Sequence, residues 1–105
     1  MDKATINEII QYLREQLIKN GLSVDSIALF GSALTNEMHM DSDIDLIIIS
    51  SDFRNKDLFE RCQMTMKPEI DTLKKFKVPM DVINLSPDEY NESIVKMRYR
   101  SKIVA

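Results

Sequence analysis

Three carboxylates stand where apolar runs begin. Asp43 and Asp45 flank Ile44 and lead into Leu46-Ile47-Ile48-Ile49, and Asp81 sits between Met80 and Val82. On a strand, side chains two positions apart share a face, about 7 Å apart along the backbone. Two carboxylates held that way repel each other unless a cation or water screens them. The triplet alone says little: with 10 Asp in 105 residues about one Asp-x-Asp is expected by chance, and Asp41 with Asp43 makes a second. Its place says more. The strand it opens is apolar enough to be fully buried, and a charge pair at the mouth of such a strand is costly unless it has a use. Three acids converging from neighbouring strand ends form an all-oxygen set suited to Mg²⁺. Two such ions can clamp the attacking and leaving oxygens of an in-line phosphoryl displacement.

Gly31-Ser32 directly follows another apolar run, Ser26-Ile27-Ala28-Leu29-Phe30. Glycine lets backbone N–H groups approach a phosphate closely, and serine adds a hydroxyl and an amide. Such a turn is common, and its weight comes from preceding the acidic pair by a short segment.

These residues need elements to hold them. Ile6, Ile9, Ile10, Leu13 and Leu17 recur at helical spacing, Thr5 with Glu8 has the pattern of a capping box, and Gly21 supplies a stop, so a helix is expected over 5–20. Residues 26–30 and 43–49 read as strands joined by a polar loop over 34–42. Residues 57–76 have helical periodicity through Leu58, Phe59, Cys62, Met66, Ile70 and Leu73, which predicts that this stripe, Cys62 and Met66 included, packs in the core; Pro68 should kink or divide the helix. Residues 80–85 read as a third strand. Ser86-Pro87-Asp88-Glu89 then opens a helix, with Ser86 as N-cap and Glu89 in the capping-box place. From about residue 95, alternation of Val95, Met97 and Tyr99 with Lys96, Arg98 and Arg100 suits either a charged edge strand or a continued helix. The expected class is α/β (α+β): a small mixed β-sheet with helices packed on it, one domain over residues 1–105.

Composition narrows the partners. Apolar residues make up 44% and charged residues 30%, a globular balance. No apolar run exceeds the four residues of Leu46 to Ile49, far short of the roughly 20 residues that span a bilayer. No basic stretch leads into an apolar one at the start, and the lone Cys62 has no internal disulfide partner; both suit a reducing cytoplasm. A net charge of −3 disfavours duplex nucleic acid. The excess is uneven, since Lys96, Arg98, Arg100 and Lys102 lie in a C-terminal stretch without an acid. His39 and Asp41 read as loop residues, and Tyr90 and Tyr99 carry no argument for modification.

Phe30-Gly31-Ser32, ten residues, then Asp43-Ile44-Asp45-Leu46, followed later by Pro79-Met80-Asp81-Val82-Ile83, closely resembles the signature of the minimal nucleotidyltransferases of the DNA polymerase β-like superfamily. The resemblance spans roughly residues 6–95. It implies metal-dependent transfer of a nucleoside monophosphate from an NTP, with ATP the favoured donor, to a hydroxyl. Asp43 and Asp45 would bind Mg²⁺, two ions being expected. Asp81 would complete the site and help to activate the acceptor, and Gly31 and Ser32 would hold the triphosphate. Where the family often has Arg and Gly after the Gly-Ser turn, this chain has Thr35 and Asn36. Asn tolerates left-handed backbone angles, whereas the lost Arg is a lost phosphate fork.

So short a chain has little left to enclose an acceptor. The resemblance therefore implies an acceptor on another molecule, a helical HEPN-type protein with which such chains form toxin–antitoxin pairs, this chain being the antitoxin that places AMP on a tyrosine. The alternative is a binding-only antitoxin with a weakened nucleotide site. Small-molecule nucleotidylation is disfavoured by length, and homo-oligomerisation is left open.

Overall fold

The computed structural model describes residues 3–31, 43–97 and 101–105. Expectations that fall on Ser32, on the 34–42 loop with Thr35, Asn36, His39 and Asp41, and on Arg98, Tyr99 and Arg100 lie outside the described residues. In chain order the elements are α1 (Lys3–Lys19), β1 (Ser26–Phe30), β2 (Ile44–Ile49), a 3₁₀ turn (Ser51–Phe53), α2 (Leu58–Phe76), β3 (Met80–Leu85), α3 (Pro87–Met97) and β4 (Ser101–Ile103). The four strands form one mixed sheet in the order β3-β2-β1-β4. β1 is antiparallel to both neighbours, and β3 runs parallel to β2. The parallel pair needs a crossover, and α2 supplies it.

Both faces of β2 are covered, which explains its unbroken apolar run. On one face Ile44, Leu46 and Ile48 join Ile27 and Leu29 beneath Ile6, Ile9, Ile10, Leu13 and Leu17 of α1. On the other, Ile47 and Ile49 join Ala28 beneath Tyr90 of α3. The Tyr90 hydroxyl lies 2.6 Å from Ser101 Oγ, tying α3 to β4. Among the described residues no helix is long and apolar enough to cross a membrane.

Helix ends follow local chemistry with one exception. Gly21, at φ 89°, closes α1 with the Leu22 amide bonded back to the Leu17 carbonyl, as a C-terminal stop requires. At α3 the Ser86 amide donates to Glu89 Oε1 (2.8 Å) and the Glu89 amide to Ser86 Oγ (3.3 Å), the expected capping box. The Thr5–Glu8 box does not form a cap, because α1 already runs from Lys3 and Thr5 lies inside it.

The main departure is the orientation of α2. Leu58, Phe59, Met66, Ile70 and Leu73 are exposed, between 44% and 76%, and Cys62 is exposed with them. The buried side is Arg61, Thr65, Pro68 and Thr72, so Cys62 and Met66 are not core residues. Polar residues tolerate that position because each is satisfied locally. Arg61 donates to the carbonyls of Lys56 and Asn84 (both 3.0 Å), pairs with Glu89 at 2.7 Å and stacks over Phe53. Thr72 and Thr65 donate their hydroxyls one turn back, to Pro68 and Arg61. Nor does Pro68 divide the helix, which continues from Leu58 to Phe76. Proline there forgoes one backbone bond, and its ring packs fully buried. After residue 95 the backbone stays helical to Met97, so the edge strand is only the short β4.

Candidate functional site

Asp45 is the second residue of β2, and the register places it directly opposite two others. Across the antiparallel ladder stands Phe30, the last residue of β1; across the parallel ladder stands Asp81 of β3. Strands in a ladder lie about 4.8 Å apart, so the two acids rise side by side from one face. Asp43, exposed just ahead of β2, belongs to the same face by the two-residue repeat. This is the face that carries Ile47 and Tyr90, away from α1.

The electrostatics report the convergence. The Asp45 carboxyl is raised above its ordinary value, first by burial, then by the charge of Asp81, then by that of Asp43. A carboxylate between two others at a half-buried position is a place where positive charge is missing. The donors are all carboxylate oxygens, the set that suits a hard divalent cation such as Mg²⁺. The carboxylates are not drawn into a closed cage: among the described residues no three His, Cys, Asp or Glu side chains form a ready metal-holding group.

Gly31 contributes in a way that its residue type only half announces. Its φ of +67° is the left-handed region that favours glycine. A Cβ at this position would also stand 2.4 Å from Asp45 Oδ2, far inside contact. Gly31 is therefore pressed against the central carboxylate. Four of the five residues expected at the site, Gly31, Asp43, Asp45 and Asp81, thus meet at one end of the sheet, and Ser32 lies outside the described residues. The Gly31–Asp45 approach joins positions 14 apart in the chain, and no local sequence signal marks it.

No curated protein matches the sequence. Among solved structures the fold is similar to a Sulfolobus solfataricus protein proposed to be a nucleotidyltransferase, with a TM-score of 0.60 and 19% identity over 98% of this chain and 87% of that one. It is also similar to a chain of a toxin–antitoxin structure with AMP-PNP, at a TM-score of 0.58 and 21% identity, covering 92% and 69% of the two chains. A looser likeness, TM-score 0.51 and 22% identity over 75% of this chain and 92% of the other, is to the BolA domain of SufE1 from Arabidopsis thaliana. At these identities the likeness speaks for the fold, which unrelated functions can share. The sequence itself decides the family: the nucleotidyltransferase domain model matches residues 6–104, nearly the whole length. On that match, the chain belongs to the nucleotidyltransferase domain family.

Proposed function

We propose that this chain is a Mg²⁺-dependent nucleotidyltransferase that moves AMP from ATP to a hydroxyl on a partner protein, and that it serves as the antitoxin of a HEPN-type toxin. The observation that carries the reading is the strand register that sets Asp81 of β3 directly opposite Asp45 of β2, with Asp43 two residues ahead of Asp45. A cluster of this kind favours a bound cation and, with it, the phosphates of a nucleotide.

Asp43 and Asp45 would hold the metal, whose chemistry is to neutralise charge on the phosphates and on the leaving group. Gly31, with Ser32, would carry the triphosphate against β1. Asp81 is exposed on its own strand, so its carboxylate can take the proton of an incoming hydroxyl. The acceptor oxygen bonds to the α-phosphorus as the bond to the β-phosphate breaks, and pyrophosphate leaves. The partner assignment is supported by the likeness to the toxin–antitoxin chain.

The test is transfer of label from α-³²P-ATP to the product of the neighbouring gene, with Mg²⁺ or with EDTA. Labelling of a tyrosine only with Mg²⁺ supports the proposal. A stable complex without labelling turns the assignment to a binding-only antitoxin, and neither complex nor labelling removes the antitoxin reading.

A further inference from the structure

Hydrogen-bond parity fixes what the outer edge of β3 offers. β3 is the last strand on its side of the sheet and pairs in parallel with β2. The Ile44 N–H donates to the Pro79 carbonyl and the Ser50 N–H to the Leu85 carbonyl, both at 3.0 Å, which gives the odd-numbered positions of this stretch to the β2 ladder. The even-numbered residues, Met80, Val82 and Asn84, therefore turn their backbone groups away from the sheet. Arg61 agrees with that direction, because its guanidinium donates to the Asn84 carbonyl at 3.0 Å from outside the ladder. Among the described residues nothing takes the N–H and C=O of Met80 and Val82 or the N–H of Asn84. The side chains of Met80 and Val82 pack on the core beneath α1, which holds the edge in place. The other edge strand, β4, is three residues long and lies two strands away from Asp45.

Two features identify an occupant. The groups on offer are alternating backbone donors and acceptors, which an extended segment of another chain completes by adding a strand. The edge also adjoins the acids. An added strand lies about 4.8 Å beyond β3, and its residue opposite Asp81 shares the face of Asp81. That residue extends the transverse row of Phe30, Asp45 and Asp81 by one place, on the open side of exposed Asp81. A hydroxyl side chain there meets the carboxylate that, in the function proposed above, takes its proton, and a tyrosine reaches along the row toward Asp45. Arg61 closes the edge at the Asn84 carbonyl, so pairing is confined to the stretch beside Asp81.

We infer that an extended segment of the acceptor protein docks as an added strand on the outer edge of β3, with its acceptor hydroxyl opposite Asp81. The inference rests on the transfer function proposed above. Val82→Pro deletes an outward N–H and spares the β2 ladder, a place where an edge strand tolerates proline. It should keep the wild-type melt and Mg-ATP affinity. Its KM for the product of the neighbouring gene should rise about tenfold or more with kcat little changed, the scale of one or two lost hydrogen bonds. Ile83→Pro, which removes a ladder N–H, should instead lower the melt. Hydrogen–deuterium exchange on the wild-type complex needs no variant: the amides of Met80, Val82 and Asn84 should slow when the neighbouring gene's product is added. Labelling by Val82→Pro at the wild-type KM, or a complex that leaves those amides unchanged, overturns the inference alone. Slowing of the same amides as the chain is concentrated without partner also overturns it, because the edge then belongs to a second copy. No labelling by the wild-type chain refutes the function on which the inference rests.

Discussion

Replacing Gly31 by alanine separates two effects that glycine combines. The backbone effect follows from φ +67°. Alanine in the left-handed region costs about 1–2 kcal/mol, partly offset by the entropy that alanine removes from the unfolded chain, leaving about 1 kcal/mol. For a domain of this size that is about 4–8 °C in Tm. The second effect is specific. The new Cβ would lie 2.4 Å from Asp45 Oδ2, and a carbon–oxygen contact ordinarily needs about 3.3 Å, so the carboxylate must move by about 1 Å. A displacement of that size at a reacting centre can cost about 10²-fold in rate. Gly21→Ala is the internal control, because Gly21 also has a positive φ, +89°, but its Cβ would meet nothing within 4 Å. Thermal melts and AMP-transfer rates should therefore diverge. Both variants lose a few degrees, Gly31→Ala alone loses about 10²-fold in transfer, and its Mg-ATP affinity by calorimetry falls with it. Equal transfer rates for the two variants would show that the Asp45 contact does not govern the chemistry.

Three further outcomes are expected. Calorimetry with ATP should show binding with Mg²⁺ or Mn²⁺ and almost none with EDTA, since a triphosphate adds charge where Asp43, Asp45 and Asp81 already repel; equal heats in both buffers would refute the metal site. Asp81→Asn should keep measurable Mg-ATP binding while transfer falls about 10²-fold or more, the scale of a lost general base, and Asp43→Asn with Asp45→Asn should lose both. At α3, burial pushes the Glu89 carboxyl up, but hydrogen bonds from Arg61 and Ser86 with the Arg61 charge outweigh it and leave it below its ordinary value of 4.5. Stability from this pair is therefore present above that value and lost as pH falls through the lowered folded value. Because Glu89 is 43% exposed, Glu89→Gln should cost only about 1 kcal/mol at neutral pH, and it should flatten the acid-side fall in Tm; an unchanged acid limb would refute the linkage.

Much of the site was legible because it rests on short-range rules. Alternation along a strand places Asp43 and Asp45 on one face whatever the rest of the chain does, and short apolar runs mark β1, β2 and β3. Ser86 to Glu89 carry their own capping chemistry. The face of α2 was not legible. Periodicity finds an apolar stripe but does not say what it meets, and the chain instead buries Arg61, Thr65 and Thr72: Arg61 is completed by Asn84 and Glu89 from elsewhere in the sequence, and the two threonines by carbonyls one turn back in their own helix. Thr5 and Glu8 had the residues of a cap but not its position, since helical backbone began upstream. β4 is too short to impose a period, and the contact between Gly31 and Asp45 exists only once β1 and β2 have paired.

The register of β3 beside β2 bears on how the molecule assembles. Antiparallel β1 and β2 can pair before α2 has formed, whereas β3 reaches β2 only after the crossover is in place, a slow kind of closure. That closure sets Asp81 directly opposite Asp45, so a late strand docks against like-charge repulsion at one end of its ladder. The acids that would serve the chemistry thus weaken the last seam of the sheet. A divalent cation, if held there as proposed, would favour the closed sheet by mass action and slow its opening. Unfolding of the chain should accordingly begin at β3, and more readily in EDTA than in Mg²⁺.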